Sequence, residues 1–238
     1  MTAYPLFLLA GIAVSFFTWR RLARNDPRLP VIYLAALVCA FASAKVVYLA
    51  AEGWLWWGRP ECLAAWLTGK SILGALLGGY AGVEAAKKLT GYTQPTGDLF
   101  AVIAPLGILL GRLGCLMHGC CQGIVCEPSW FTITGIDGKP RWPAVPAEMA
   151  FNALFLAVVL VLRSKKLLPG QHFHLYLMAG GAFRFFHEFL RDTPRVLGVM
   201  SGYQLAALAV FFLGLWGFLR RCAEEGGRHH EPREQAGA

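Results

Sequence analysis

The run PVIYLAALVCAFASAKVVYLAA, residues 30–51, decides the fold class, because it is long enough to cross a bilayer and carries one charged side chain, Lys45. A helix of about 20 apolar residues spans the hydrocarbon core, so a chain containing such a run has lipid as its natural solvent. The pattern recurs outward from it. Apolar stretches occupy residues 4–19, 71–86, 99–117, 144–162, 173–189 and 203–219 as well, and the expected fold is all-α and polytopic, with about seven transmembrane helices. Composition agrees: 56% of the 238 residues are hydrophobic and 15% are charged, against about 45–50% and about 25% in a soluble domain. One transmembrane domain is expected over residues 1–221, followed by a polar, disordered cytoplasmic tail over residues 222–238.

The charges orient the expected bundle. No basic residue precedes the stretch 4–19, and Arg20 and Arg21 follow it. That order is the reverse of a signal peptide's, so the stretch is expected to be a retained first helix with its N-terminus outside. Arg20, Arg21, Arg24, Arg28, Lys87, Lys88, Arg163, Lys165, Lys166, Arg220, Arg221, Arg228 and Arg233 all fall on one side of a seven-span chain, and they are 13 of its 22 Lys and Arg. The positive-inside rule makes that side cytoplasmic and puts the C-terminus in. The net charge of +8 is then a matter of loops and anionic lipid headgroups. Nucleic acid is not an expected partner, because no basic module stands apart from the apolar spans. Residues 52–68, with Trp54, Trp56, Trp57 and Trp66, have the composition of an interfacial segment. Gly69, Gly74, Gly78, Gly79 and Gly82 predict that the third span packs closely on a neighbour.

Two basic residues fit neither pattern. Arg112 and Arg184 lie inside or at the ends of apolar spans, where a charge is expensive and usually faces a polar cavity. Arg112 belongs to GRLGCLMHGCCQG, residues 111–123, in which four glycines permit tight turns and close approach to a ligand. Its guanidinium is a fork suited to phosphate; snorkelling to the interface is the alternative. Arg184 belongs to RFFHEFLR, residues 184–191, where Glu188 shares its helix face at i+4 and Arg191 follows three further on. That array holds Arg184 toward an anionic substrate or else neutralises buried charge.

Cys115, Cys120, Cys121 and Cys126 cluster with His118. At an oxidising outer face a disulfide is the expectation, Cys126 with Cys120 or Cys121. Ligation of a metal by the thiols and His118, and a reactive thiol with His118 as base, remain open beside it. Gly69-Lys70-Ser71 is not a phosphate-binding loop, since Ala64 stands where its first glycine belongs and no strand precedes it. Lys70 is kept as a group able to reach a lipid phosphate.

The run 111–123, the hairpin expected after it, Glu148 at the start of the fifth span and residues 183–191 together resemble the prolipoprotein diacylglyceryl transferase family. The glycine-rich third span, the count of seven and the N-out, C-in orientation agree with that resemblance. It implies an enzyme that moves a diacylglyceryl group from phosphatidylglycerol onto the thiol of a lipobox cysteine, releases glycerol phosphate and needs no metal or other cofactor. The partners implied are the phospholipid donor and a membrane-tethered lipobox peptide. The place implied is the bacterial inner (plasma) membrane, with the active site toward the periplasmic or outer leaflet.

Residue by residue, Arg112 matches the family's signature arginine, Gly114 and Gly123 its glycines, and Arg184 and Glu188 the arginine and glutamate of its penultimate helix. The resemblance therefore implies that Arg112 and Arg184 bind the phosphate and stabilise the leaving glycerol phosphate, with Glu188 and Arg191 orienting Arg184. Elsewhere the chain departs. Cys115 and His118 stand where the family has asparagines, Cys120 where it has a glutamate, Leu73 where it has a histidine and Gly180 where it has a tyrosine. The family's His-Pro-x-Gln-Leu-Tyr-Glu segment is reduced to Trp142-Pro143 and Glu148. With the third-helix histidine gone, His118 is the residue expected to take the thiol proton. Two other classes stay open: a lipid-binding homologue without catalysis, and an enzyme using Cys115, Cys120 or Cys121 as its own nucleophile. No inverted repeat points to a transporter.

Overall fold

A computed structural model describes residues 4–196 and 198–230. It is helical almost throughout: α1 Tyr4–Asn25, α2 Arg28–Ala51, a 3-10 turn Gly53–Trp56, α3 Cys62–Thr68, α4 Ile72–Thr90, α5 Gly97–His118, α6 Ala144–Ser164, α7 His172–His187 and α8 Gly202–His230. Between α5 and α6 a short antiparallel hairpin pairs β1 Ile133–Thr134 with β2 Pro140–Arg141. Five of the seven apolar stretches begin and end within one helix; 71–86 begins one residue early, at the cap Ser71 of α4, and 173–189 runs past α7 into a 3-10 turn, Glu188–Leu190.

Among the described residues, four helices are long and apolar enough to cross a membrane: α2, α5, α6 and α8 over Gly202–Glu224. The pair α3 and α4, bent by 50° at a short break, passes the same test together, as a broken span or a re-entrant loop. The 16-residue α7 falls short of a full span by length. In the most apolar part of the four, only 22–33% of residues are buried inside the protein. Side chains such as Val38, Phe41, Leu154 and Phe212 stand 58–67% exposed. In water that would be a large unsatisfied apolar surface; against lipid tails it is the expected face. The stretch 52–68 resolves into the 3-10 turn and α3, with the Trp66 indole donating to the Gly53 carbonyl at 2.8 Å. Residues 222–230 of the expected disordered tail continue α8 as helix, with an i,i+4 pair between Arg220 and Glu224 at 2.9 Å; residues 231–238 lie outside the described part.

Glycines set the closest helix approaches. On α4, Gly74, Gly78 and Gly82 form a stripe at every fourth position against α2. A Cβ at Gly74 would meet the Ser43 carbonyl at 2.5 Å, one at Gly82 the Ala35 carbonyl at 2.7 Å, and one at Gly78 would collide with the Cys39 carbonyl. Small residues at such spacing let two backbones pack where lipid offers no hydrophobic drive. On α7, Gly181 lies equally close to the Ala207 carbonyl of α8, where a Cβ would sit 2.8 Å from it. Leu73 of α4, Leu177 of α7 and Val210 of α8 fill the core between these contacts.

Candidate functional site

The polar centre of the molecule is Glu148, 2% exposed in the first turns of α6. Its carboxylate faces three guanidinium groups. Arg112, near the C-terminus of α5, presents Nε to Oε2 at 2.5 Å. Arg191, just beyond α7, donates Nη1 to Oε1 at 2.6 Å. Arg184 of α7 donates Nη1 to the same oxygen in a short bond. Glu188, 1% exposed, is the second carboxylate. It accepts Arg184 Nη2 at 3.0 Å, stands 3.6 Å from Arg191 Nε, and is held by Thr193 Oγ1 at 2.8 Å and Ser201 Oγ at 3.4 Å. Ser201 also caps α8: its Oγ accepts the Gln204 backbone N–H at 3.2 Å, while the Gln204 side chain accepts the Ser201 N–H at 2.8 Å. That is a capping box, so the start of α8 and the orientation of Glu188 are fixed together.

Three arginines against two carboxylates leave one buried positive charge in excess. A lone buried charge is costly unless paired, and Arg184 Nε is buried with no hydrogen-bond partner. The arrangement has room, in charge and in donors, for one anion. His187 closes one side: its Nε2 accepts from the Trp142 indole at 3.2 Å, its Nδ1 lies 3.8 Å from Glu148, and its ring stacks on Phe183 at 4.9 Å.

The loop from α5 to α6 ties these elements together. α5 ends at Gly119 with φ +70, the left-handed cap that lets its N–H return to the last carbonyls. The chain then crosses as a ribbon. Gly123 bridges Arg191, Ile124 N–H donates to Leu190 O at 3.0 Å, and Trp142 N–H donates to Ile124 O at 3.0 Å. Gly123 has to be glycine, since a Cβ there would collide with the Trp142 carbonyl. Arg141 clips the outside, with Nη1 on the Gly123 carbonyl and on Asp192 at 2.9 Å each, and Nη2 on Asp137 at 2.9 Å. Its guanidinium holds the Asp137 carboxyl down to about 2.

Of the residues singled out in the sequence, the structure therefore gathers Arg112, Arg184, Arg191, Glu148 and Glu188 in one cluster. Gly114 is buried in α5 beside it, and Gly123 seats the ribbon. Lys70 is not with them; it is exposed, its ammonium 5.4 Å above the Phe41 ring. His118 is exposed at the end of α5 and joins none of the contacts around Glu148. The cysteines divide. The sulfurs of Cys115, Cys120 and Cys121 lie within 4.8 Å of one another. Cys126 sits on the ribbon, its N–H donating to Pro140 O at 3.1 Å. All seven cysteines are free, so the disulfide expected from Cys126 to Cys120 or Cys121 is not formed. The neighbouring thiols of Cys115 and Cys120 and the charges of Arg112 and Arg191 hold the Cys121 thiol below the ordinary cysteine range, burial opposing them.

Sequence reasoning missed Trp142, His187, Thr193 and Ser201 as parts of the cluster. His187 was findable, three residues after Arg184 on the same face. Thr193 and Ser201 reach Glu188 only because the chain after α7 folds back, and no local spacing announces that.

Comparison with known proteins gives one family. The sequence model of the prolipoprotein diacylglyceryl transferase family matches residues 1–220. The similar proteins include several named phosphatidylglycerol–prolipoprotein diacylglyceryl transferase. The one from Geobacter sulfurreducens is 30% identical over 227 residues, covering 89% of this chain and 87% of the relative. That from Symbiobacterium thermophilum is 29% identical over 245 residues, covering 94% and 90%. That from Pseudoalteromonas atlantica is 33% identical over 200 residues, covering 82% and 70%.

Proposed function

The chain belongs to the prolipoprotein diacylglyceryl transferase family, and on that premise we propose that it transfers a diacylglyceryl group from phosphatidylglycerol to the cysteine thiol of a membrane-tethered prolipoprotein segment. The observation that carries this reading is the buried cluster with one positive charge in excess: Arg112, Arg184 and Arg191 against Glu148 and Glu188. A phosphodiester monoanion restores its charge balance and fills the donors left over.

Substrate phosphate docks on Arg112 and Arg184, the two arginines whose positions match those of the family. Glu148 and Glu188 hold the guanidinium planes before substrate arrives, so little reorganisation is needed when the ester oxygen takes on charge. Preorganised donors aimed at developing charge are the largest single term in many enzymes. Arg191, bonded to both the Glu148 side chain and the ribbon at Gly123, is a positioning residue, as are Thr193 and Ser201 behind Glu188. The acceptor sulfur attacks the glyceryl carbon, and the phosphate oxygen leaves with the bonding pair. The apolar exposed faces of α2, α5, α6 and α8 support entry of the donor sideways from lipid. The seven-span topology, the N-out orientation and the outward-facing site in a bacterial plasma membrane belong to this reading. They rest on the charge pattern and on the bacterial relatives.

The test is direct. Purified chain, phosphatidylglycerol and a lipobox peptide with one cysteine are incubated, and the peptide is weighed by mass spectrometry. A diacylglyceryl-sized gain is expected, reduced in Arg112→Ala by about 10²–10³-fold, the usual effect of removing one oxyanion donor. No gain beside an active relative, or a gain indifferent to Arg112, contradicts the reading.

A further inference from the structure

Among the described residues, one group of side chains gathers as metal ligands do: Cys115, Cys120 and Cys121, their three sulfurs within 4.8 Å of one another and all half-buried. Two backbone features hold them there. Cys120 N–H and the Gly119 cap N–H both return to Cys115 O, at 3.2 Å for Cys120, so the last turn of α5 and the two cysteines after it form one locked turn. Cys121 then adopts φ +61, a left-handed conformation that non-glycine residues seldom take. Strain of this kind persists where the position has a task, and here it turns a third sulfur toward the other two. The turn leads straight into the ribbon at Gly123, which bridges Arg191 of the arginine cluster.

We propose that Cys115, Cys120 and Cys121 form a tris-thiolate site for a thiophilic divalent ion of the zinc class, with a fourth position open to the acceptor's thiol. A Zn–S bond of about 2.3 Å places the sulfurs of a tetrahedral site about 3.8 Å apart, so shifts on the order of 1 Å close the site on the ion. Three protein ligands with one open position is the arrangement of a catalytic rather than a structural zinc. This departs from the resemblance, which implies no metal.

The role of the site rests on the transferase reading; its existence does not. In that role the acceptor thiol occupies the fourth position and releases its proton to water on coordination, since a bound thiol is deprotonated outright. The coordinated sulfur attacks the glyceryl carbon attached to the phosphate oxygen. A C–S bond forms, the C–O bond breaks, and its electron pair leaves on glycerol phosphate, which the arginines receive. The thioether product is a weak ligand and departs. The exposed His118 is then not required as a base.

The experiment uses the full chain in detergent, stripped by chelator under reducing conditions and titrated with Co²⁺ alone. The expected result is a thiolate-to-cobalt charge-transfer absorption that saturates at one ion per chain and is displaced by Zn²⁺. It is retained in Cys126→Ser and lost when Cys115→Ser, Cys120→Ser and Cys121→Ser are combined. A cysteine-containing peptide shifts the cobalt ligand-field bands, and its serine counterpart does not. Wild-type chain without the charge-transfer band overturns the site, whether or not the triple variant folds, and so does a band that survives the triple substitution. The transfer assay, run separately, keeps the two readings apart. Stoichiometric binding without transfer supports the site and overturns the transferase, whereas undiminished transfer by metal-free chain overturns the role given to the ion.

Discussion

Asp98 at the start of α5 and Arg112 near its end stand about 21 Å apart along the helix, and each anchors a polar cluster. At the Asp98 end one carboxylate meets backbone N–H groups and a histidine, with no surplus of buried arginines. Its carboxylate accepts the Gly170 N–H at 2.8 Å and the His172 N–H at 3.4 Å and faces His172 Nδ1 at 3.0 Å, while Arg163 Nη1 binds the Asp98 carbonyl at 2.9 Å. An acidic residue in a first turn also answers the helix dipole. The result is a staple between α5 and the α6–α7 connection. At the Arg112 end three cations share two carboxylates, and one positive charge is left over. Buried charge alone therefore does not distinguish a binding site from a staple; an imbalance that a ligand would cancel does.

The comparison can be broken at several points, the most severe first. Glu148→Gln removes half the negative charge from the Arg112 end and leaves three buried arginines with Glu188 alone. Breaking a buried pair costs about 3–5 kcal/mol, so thermal unfolding in detergent is expected to fall sharply or the chain to lose its monodisperse form. Arg184→Ala removes the surplus instead. Its transfer rate is expected to drop by about 10²–10³-fold, while its melting temperature falls by less than that of Glu148→Gln; the reverse ranking of the two melting temperatures would mean that the cluster is a staple too. Asp98→Asn is expected to cost about 1–3 kcal/mol of stability with the initial rate of the mass-spectrometric transfer assay unchanged. Ser201→Ala removes a helix cap worth about 1 kcal/mol and one donor to Glu188. A small loss of stability is expected, with a modest loss of transfer because Arg184 is less firmly held.

The contrast also explains what could be learned from the sequence. Helices follow from apolar runs, and the stretches 4–19 through 203–219 all fall in or across helices because lipid-facing residues leave a continuous hydropathy signal. The i,i+4 spacing of Arg184 and Glu188 is enough by itself to put them on one helix face. Glu148 was visible only through resemblance, since nothing near it in the chain announces that α5, α7 and the segment after α7 converge on it. His118 and Cys126 have suitable chemistry and lie in or next to the motif in sequence, whereas Lys70 lies some 40 residues before it, ahead of α4. The α5 cap at Gly119 turns the chain away after His118, so sequence proximity did not become contact. The staple at Asp98 left no signal, because its donors, Gly170 and His172, come from more than 70 residues away.

The measurement that tests the central claim most directly is lipid retention. Chain is released from micelles holding equal amounts of phosphatidylglycerol and phosphatidylcholine and weighed by native mass spectrometry, beside Arg184→Ala. The surplus charge at Glu148 predicts one phosphatidylglycerol retained by the wild type and lost in the variant. Equal retention by both, or no preference for the anionic lipid, would contradict an anion site in the arginine cluster.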